Sequence, residues 1–336
     1  MSLLIEKVEK ITIKYLTKKK AIKIYTKEHP IKRTVWGEVK GWIDALVFAV
    51  VVILIINQYI FQLFVIPTPS MEKTMLVKDR VFVNKNIYGL EIWPGGPKLG
   101  SSKRVVKRDN IITFYNPEYE SKGPIFDVAA QMLFSATFSL VNIDKNEDGT
   151  PAERLYVKRA AAMPNDTVTF ENGNVKIRLA GTTEFVDEMK FREENGYSDG
   201  PNRLIDDSYY SSLKAWAALI AYQDKGLNNS SYIPSTYLTE YQKLSDTTYP
   251  KDMYEFMKTK YTTEYKIDPS DFTARSNANS YSNGISVPEN YILPLGDNRD
   301  NSHDGRYFGP VSQDTVIGRV FFRFWPLNRI SYLGNK

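Results

Sequence analysis

The chain has 336 residues, 42% of them hydrophobic and 25% charged, with a net charge of +5, two histidines and no cysteine. That length suggests about two domains at ~150 residues each, and a composition near the globular average excludes a disordered or fibrous chain. A mean hydropathy of −0.37 excludes a many-pass membrane protein, and the missing cysteines exclude a disulfide scaffold, an iron–sulfur cluster, thiol catalysis and Cys-ligated zinc.

The positive charge is concentrated at the N-terminus. Residues 1–44 carry 11 Lys/Arg against 5 Asp/Glu, and the remainder carries 33 against 34. The body therefore has no general affinity for nucleic acid. Within the arm, Leu3, Leu4, Val8, Ile11 and Tyr15 lie among lysines. That pattern suits a helix resting on an anionic leaflet and equally a solvated basic helix.

From Ala45 to Met71 there are 27 residues without a charge, opening with the unbroken apolar run Ala45 to Ile56. A membrane-spanning helix needs about 20 mostly apolar residues, which Ala45 to Phe64 supplies. Asn57, Gln58 and Gln62 weaken the second half and place it near the far interface, beside Tyr59 and Phe61. A buried core helix is the alternative, disfavoured because the apolar run has no amphipathic period. A cleavable signal peptide is disfavoured by the length of the basic arm. The excess of Lys/Arg predicts that the arm stays in the cytoplasm and that residues beyond about 65 lie across the membrane.

Short β-rich runs follow. Val77–Asn84, Asn110–Tyr115, Arg154–Arg159, Thr167–Phe170, Tyr291–Leu295 and Ile317–Trp325 read as strands, separated by turn-formers such as Pro94–Pro97 and Glu171–Asn174. Many short strands without alternating helices predict a mainly β, antiparallel fold. Residues 128–143 are uncharged but too few and too polar to span a bilayer, and read as a packed or interfacial helix. Residues 175–285, rich in Tyr, Ser, Asn, Asp and Lys, read as an inserted α+β subdomain with helices over Ser211–Tyr222 and Tyr249–Tyr261. Nothing in their composition suggests chemistry.

With His29 on the cytoplasmic side and His303 the remaining histidine, a His-based metal site is essentially excluded. No phosphate loop or dinucleotide fingerprint occurs, so no cofactor and no metal are expected. Three segments stand out. Ile66–Met75 holds Ser70 behind Pro67 and Pro69, which keep the chain extended after the apolar run. Tyr156–Asp166 is a strand ending in a Pro–Asn–Asp turn, and Gly296–Arg306 is a dense polar loop between apolar strands. Taken alone, that loop is equally a salt-bridged surface loop, and spacing alone favours reading Lys158 and Arg159 as ordinary exposed charges.

Together these segments resemble bacterial type I signal peptidase, a membrane-anchored serine protease family. The family's Pro-Ser-x-Ser-Met-x-Pro-Thr-Leu is matched by Pro67–Thr68–Pro69–Ser70–Met71–Glu72–Lys73–Thr74–Met75. Its Arg-Gly-Asp-Ile-Val-Val-Phe is matched by Arg108–Phe114, and its Lys-Arg-x-x-Gly-x-Pro-Gly-Asp by Lys158–Asp166. Gly-Asp-Asn-Arg-x-x-Ser-x-Asp-Ser-Arg corresponds to Gly296–Arg306. The resemblance covers about residues 42–170 and 286–330. It departs at Thr68, Lys73, Asp109–Asn110, Ala162, Asn165 and Gly305.

The resemblance implies a signal-peptidase-type antiparallel catalytic domain in two parts, 65–174 and 286–336, interrupted by the 175–285 insertion. A basic cytoplasmic arm (1–41) and a single transmembrane anchor (42–64) precede it, with the catalytic domain on the outer face of the bacterial cytoplasmic membrane. Ser70 is then the nucleophile and a neutral Lys158 the general base, a pairing that needs burial to lower the usual lysine pKa of about 10.4. The Ser70 N–H and the Thr68 hydroxyl form the oxyanion hole, Ser302 orients the Lys158 amine, and Asp297, Asn298, Arg299, Asp304 and Arg306 brace the loop. His303 falls at a free motif position and is read as incidental. The implied substrates are preproteins with Ala-like residues before the cleavage site. Two other readings stand beside this one. Ser70–Met71–Glu72–Lys73 also fits the S-x-x-K motif of penicillin-binding acyl hydrolases, without their Lys-Thr-Gly partner. A catalytically inert, membrane-tethered β-domain that binds or assembles partners is the non-enzyme alternative.

Overall fold

The computed structural model describes residues 2–28, 34–100, 105–137, 141–197, 200–201, 203–229 and 231–334. His29 lies outside them. The chain divides into two compact units, Met1–Val52 and Ile53–Lys336. The first holds helix α1 (Ser2–Glu28) and most of α2 (Val35–Tyr59). On α1, Tyr15 and the lysines between residues 14 and 23 are exposed, while the side chains of Leu3, Leu4, Val8 and Ile11 lie outside the description. Among the described residues, α2 is the one helix long and apolar enough to cross a membrane.

α2 starts earlier and stops sooner than an anchor over 42–64. It ends at Tyr59, and Phe61–Val65 is strand β1. Polarity decides the stop. Gln58 Nε2 donates to the Glu91 carbonyl and the Tyr59 hydroxyl to the Ile92 carbonyl, both at 3.0 Å. Beyond them Gln62 and Phe64 are buried in alternation, the period of a strand and not of a helix.

The second unit then runs through β2 (Arg80–Asn84), the short pair β3 (Leu90–Glu91) and β4 (Lys98–Leu99), β5 (Ile111–Tyr115), helix α3 (Pro124–Ala136) and β6 (Leu155–Ala162). The expected strand over 77–84 begins three residues late, because Lys78 takes a left-handed turn (φ 72°) before it. The helix expected over 128–143 is α3, which begins at Pro124, where the fixed proline φ suits a first helical position.

Near the C-terminus come β11 (Tyr291–Leu295), the one-turn helix α9 (Gly305–Phe308), β12 (Val311–Ser312), β13 (Val316–Trp325) and β14 (Ser331–Tyr332). Among the described residues they complete an eight-stranded sheet in the order β1-β2-β13-β5-β6-β11-β12, with β14 also on β13. Every pairing within it is antiparallel. Both faces are covered. Ile111 packs with Met71, Met75, Val81 and Val320, and the next residue, Ile112, with Phe114, Ala160, Ile292 and Val316 on the other side. That accounts for the unbroken apolar runs of β5 and the end of β6, which a one-sided sheet would have alternated with polar residues.

β7 (Thr167–Glu171), β8 (Asn174–Arg178), β9 (Val186–Asp187) and β10 (Ile285–Ser286) form a second antiparallel sheet, ordered β10-β7-β8-β9. The hairpin between β7 and β8 turns on Asn172 and Gly173, both with positive φ, as a tight two-residue turn requires. A domain boundary at 174/175 would therefore cut a hairpin. The second sheet shares a core with the first, since Val168, Phe170 and Ile177 pack with Ala161, Ala162, Leu293 and Leu295.

Between β9 and β10 lie α4 (Glu188–Glu194), α5 (Tyr209–Asp224), α6 (Ser235–Tyr241), α7 (Met253–Ile267) and α8 (Phe272–Asn283). Asp187, Asp252 and Asp271 cap α4, α7 and α8 by accepting backbone N–H bonds. Leu213, Trp216 and Ala217 of α5 meet Phe256 of α7 in a separate small core.

In β13, Gly318 lies so close to β2 that an added Cβ would sit 2.6 Å from Val83 Cγ1 and 2.7 Å from the Asn84 carbonyl. Gly318→Ala should destabilise the fold by about 1–3 kcal/mol, measured as a lower urea midpoint with an unchanged slope.

Candidate active site

Thr68 is extended (φ −124°, ψ 156°), as expected behind Pro67, but Pro69–Met71 closes into one turn of 3-10 helix that carries Ser70. Glu72 N–H closes the turn on the Pro69 carbonyl, and Met75 N–H bonds the Met71 carbonyl. Met71 and Met75 anchor the segment in the core. Ser70 is thus held by buried methionines on the segment that follows β1.

Lys158 lies on β6, opposite Ile112 of β5. Its Nζ lies 2.7 Å from Ser70 Oγ. The side chain is buried, and the Tyr156 ring lies 5.4 Å from the amine. Burial lowers the Lys158 pKa to about 8, despite the opposing negative charge of Asp304. Thr68 Oγ1 donates to Ser70 Oγ at 3.3 Å.

Successive strand residues point to opposite sides. Lys158 turns to Ser70, and Arg159 turns into a core where neither it nor Asp297 has any exposure. Arg159 Nε and Nη2 donate to the two oxygens of Asp297 at 2.7 and 2.6 Å, a bidentate pair. Thr74 Oγ1 adds a 2.5 Å bond to the same carboxylate. Although burial opposes ionisation, the Arg159 charge keeps the Asp297 carboxyl below its ordinary pKa. The expected alternative of exposed charges at 158 and 159 is thereby excluded.

The loop expected to brace the site does reach it. Asn298 N–H donates to the Ser70 carbonyl (3.1 Å), and Asn298 Nδ2 to the Pro69 carbonyl (3.2 Å). Asp304 accepts from Arg306 Nε (2.9 Å), Arg306 Nη2 (3.1 Å) and Gly296 N–H (2.9 Å). Burial opposes its ionisation, but these donors hold the Asp304 pKa at about 2. Arg299 Nη2 bonds both oxygens of Glu188 at 2.6 and 2.7 Å.

Ser302 does not take its expected place. Its buried hydroxyl has no hydrogen-bond partner among the described residues. It is seated against Gly296, whose Cβ, if present, would lie 2.1 Å from Ser302 Oγ and 2.5 Å from the Ser70 carbonyl. Close packing on a glycine, in place of a bond to Lys158, holds it there. His303 pairs with Glu118 at 2.6 Å and stacks on Tyr307, with about half of its side chain exposed. Lys73, the other candidate lysine, has a left-handed backbone (φ 79°) and is exposed, lining a cleft of about 430 Å³ with Met189, Lys190 and Glu193 of α4.

Several buried or half-buried charges escaped the sequence reading. Arg192 of α4 and Arg159 both bond Asp109, whose backbone is left-handed (φ 70°). Arg108 pairs with Asp166 at 2.6 Å, and Arg203 with Asp300 at 2.8 Å. Glu188, Arg192 and Arg203 all come from the insertion, whose composition suggested no chemistry. The signal that was available is Asp109 itself, a charged residue where the resembled motif has glycine.

The model of the family described as signal peptidase, peptidase S26, matches residues 39–325. The chain belongs to that family. Signal peptidase I of Aquifex aeolicus (strain VF5) is 24% identical over 285 residues, 83% of this chain and 82% of the relative. Signal peptidase I of Buchnera aphidicola subsp. Schizaphis graminum is 23% identical over 304 residues, 84% of this chain and 77% of the relative. Signal peptidase IB of Staphylococcus aureus (strain MRSA252) is 48% identical over 56 residues, 17% of this chain and 28% of the relative. Membership in the signal peptidase family makes the chain a hydrolase of the serine peptidase class. The antiparallel main sheet and the N-terminal apolar helix agree with that assignment.

Asp297→Ala should destabilise this signal peptidase family member by about 3–5 kcal/mol, because the buried Arg159 guanidinium loses its bidentate carboxylate. The check is the urea unfolding free energy in detergent. A loss below about 1 kcal/mol, the scale of a surface ion pair, would show that the pair is not the buried linchpin described.

Proposed function

We propose that the chain removes N-terminal signal peptides from exported preproteins, with Ser70 as nucleophile and Lys158 as general base. The observation that carries this reading is the 2.7 Å contact between a serine hydroxyl and a buried lysine amine whose pKa is lowered to about 8. A serine is a poor nucleophile until a base takes its proton, and an amine near pKa 8 is partly neutral at physiological pH.

Ser70 Oγ attacks the scissile carbonyl while Lys158 Nζ accepts the hydroxyl proton. The same amine then delivers that proton to the leaving nitrogen. A water deprotonated by Lys158 next attacks the acyl-enzyme and releases Ser70. Ser70 N–H lies in the first turn of its 3-10 helix, where N–H groups have no partner within the helix. With the Thr68 hydroxyl beside Ser70 Oγ, it would hold the oxyanion. Ser302 is left out of the proton path, since its hydroxyl does not bond the amine.

The substrate's extended segment would add to a strand edge, with Ala-like residues at the first and third positions before the cut, as the resemblance implies. α2 is the candidate anchor in the bacterial cytoplasmic membrane. The excess of Lys/Arg in the first 44 residues favours an N-terminus inside and the peptidase unit outside.

Ser70→Ala and Lys158→Ala should each lower kcat/KM for a model preprotein by about 10³-fold or more, whereas Lys73→Ala should stay within about threefold of wild type. Loss on removing Lys73 with retention on removing Lys158 would favour the S-x-x-K reading. Lys158 acts as a base only when neutral, so kcat/KM should rise with pH and level off above about 8, falling about tenfold per unit below that. A flat profile from pH 6 to 9 would sink the lysine-base mechanism. Thr68→Val should lower kcat by about 10²-fold, and Thr68→Ser should restore most of it.

A further inference from the structure

We infer that α4 of the insertion is a clamp, whose Glu188 and Arg192 are positioning residues for the Ser70–Lys158 pair. The inference rests on the Ser–Lys reading proposed above. Two buried charge contacts enter the site from this single seven-residue helix. Glu188 takes both of its bonds from Arg299 Nη2, in the loop whose Asn298 holds the Ser70 carbonyl. Arg192, one turn further along, bonds Asp109, and Asp109 in turn accepts from Arg159 Nη1 at 3.0 Å. Arg159 is the residue after Lys158 and grips Asp297.

One end of α4 therefore fixes the position of the loop behind Ser70, and the other fixes the charge that steadies β6 beside Lys158. Residues four apart on a helix lie on the same face, so α4 delivers a carboxylate and a guanidinium together. The chemistry of the sequence agrees. Asp109 places a negative charge at a left-handed position (φ 70°), where glycine is the unstrained residue. Buried and uncompensated, that carboxylate would compete with Asp297 for Arg159. Arg192 compensates it, so Asp109 and Arg192 form a matched couple, one in the catalytic domain and the other in the insertion.

The test is a rescue, made on the full-length chain in detergent. Active sites are counted from the acyl-enzyme burst, and kcat is expressed per counted site, because simple loss of folded protein lowers the count and leaves that value unchanged. Arg192→Met should lower kcat per site by about tenfold with KM within about twofold, and Arg192→Met/Asp109→Gly should recover to within about threefold of wild type. If the Arg192→Met single variant does not fold, Glu188→Gln, which keeps the side-chain shape, should show the same fall in kcat per site. The clamp is overturned if kcat per site is unchanged in the single variants, or if the double variant is no better than Arg192→Met. Ser70→Ala and Lys158→Ala run in parallel. Retained cleavage there would overturn the Ser–Lys reading, and with it the clamp, whereas their loss alongside wild-type kcat per site in the α4 variants overturns the clamp alone.

Discussion

A guanidinium wholly withdrawn from water, that of Arg159, sits where β6, the serine segment and the polar loop meet. Withdrawing such an ion costs several kcal/mol unless its donors are satisfied, and here they are met from three directions. Asp297 supplies two carboxylate oxygens from the loop, and Asp109 supplies its side chain and its carbonyl from the approach to β5. Thr74, on the serine segment, accepts from Arg159 Nη2 at 3.5 Å and itself bonds the same Asp297. No one of these segments can shift far without stranding the charge, so an ion pair that contributes little net stability fixes their relative positions. Lys158 is the neighbouring residue, and its position relative to Ser70 is inherited from that arrangement.

The two adjacent cations are treated in opposite ways, and the difference is chemical. Arg159 stays charged at any accessible pH and is given carboxylates. Lys158 is buried with a hydroxyl as its hydrogen-bond partner and an aromatic ring beside it. The nearby negative charge of Asp304 would raise the lysine pKa. Yet Asp304 bonds four donors from Arg306 and Gly296 and belongs chiefly to them. Desolvation therefore prevails at Lys158, although acidic groups lie close by.

Much of the architecture was legible in short-range pattern. The six strands, their antiparallel arrangement and the apolar helix follow from periodicity and turn residues, because those are local properties. Motif order singled out Ser70, Lys158, Asp297, Asn298 and Asp304, and the fold places them in one region, with Lys158 on Ser70 Oγ, Asn298 on the Ser70 carbonyl and Asp304 on Gly296 N–H. Boundaries were less legible. Phe61–Val65 looked like the end of a span, since a strand buried within a sheet and a helix facing lipid are similarly apolar. The insertion misled for another reason. Glu188, Arg192 and Arg203 belong to segments that read as polar surface, and only contacts more than 80 residues away in the chain turn them into partners of Arg299, Asp109 and Asp300. Composition carries no record of such pairings.

Three departures from the resembled motifs have different physical outcomes, all set by backbone conformation. Asn165 stands at a glycine position with φ 67°, and Asn tolerates that region better than other residues with a side chain. Asp109 also stands at a glycine position with φ 70°, but its side chain is taken up in ion pairs, which offset a strain of order 1 kcal/mol. Lys73 is the most consequential. The motif has proline there, and a proline ring fixes φ near −65°, whereas Lys73 adopts φ 79°. The chain leaving Ser70 thus follows a path that no proline could take, ending in the Thr74–Asp297 bond and the buried Met75. Lys73 lines a cleft with Met189, Lys190 and Glu193 of α4, and Thr74, the next residue, bonds Asp297 of the loop.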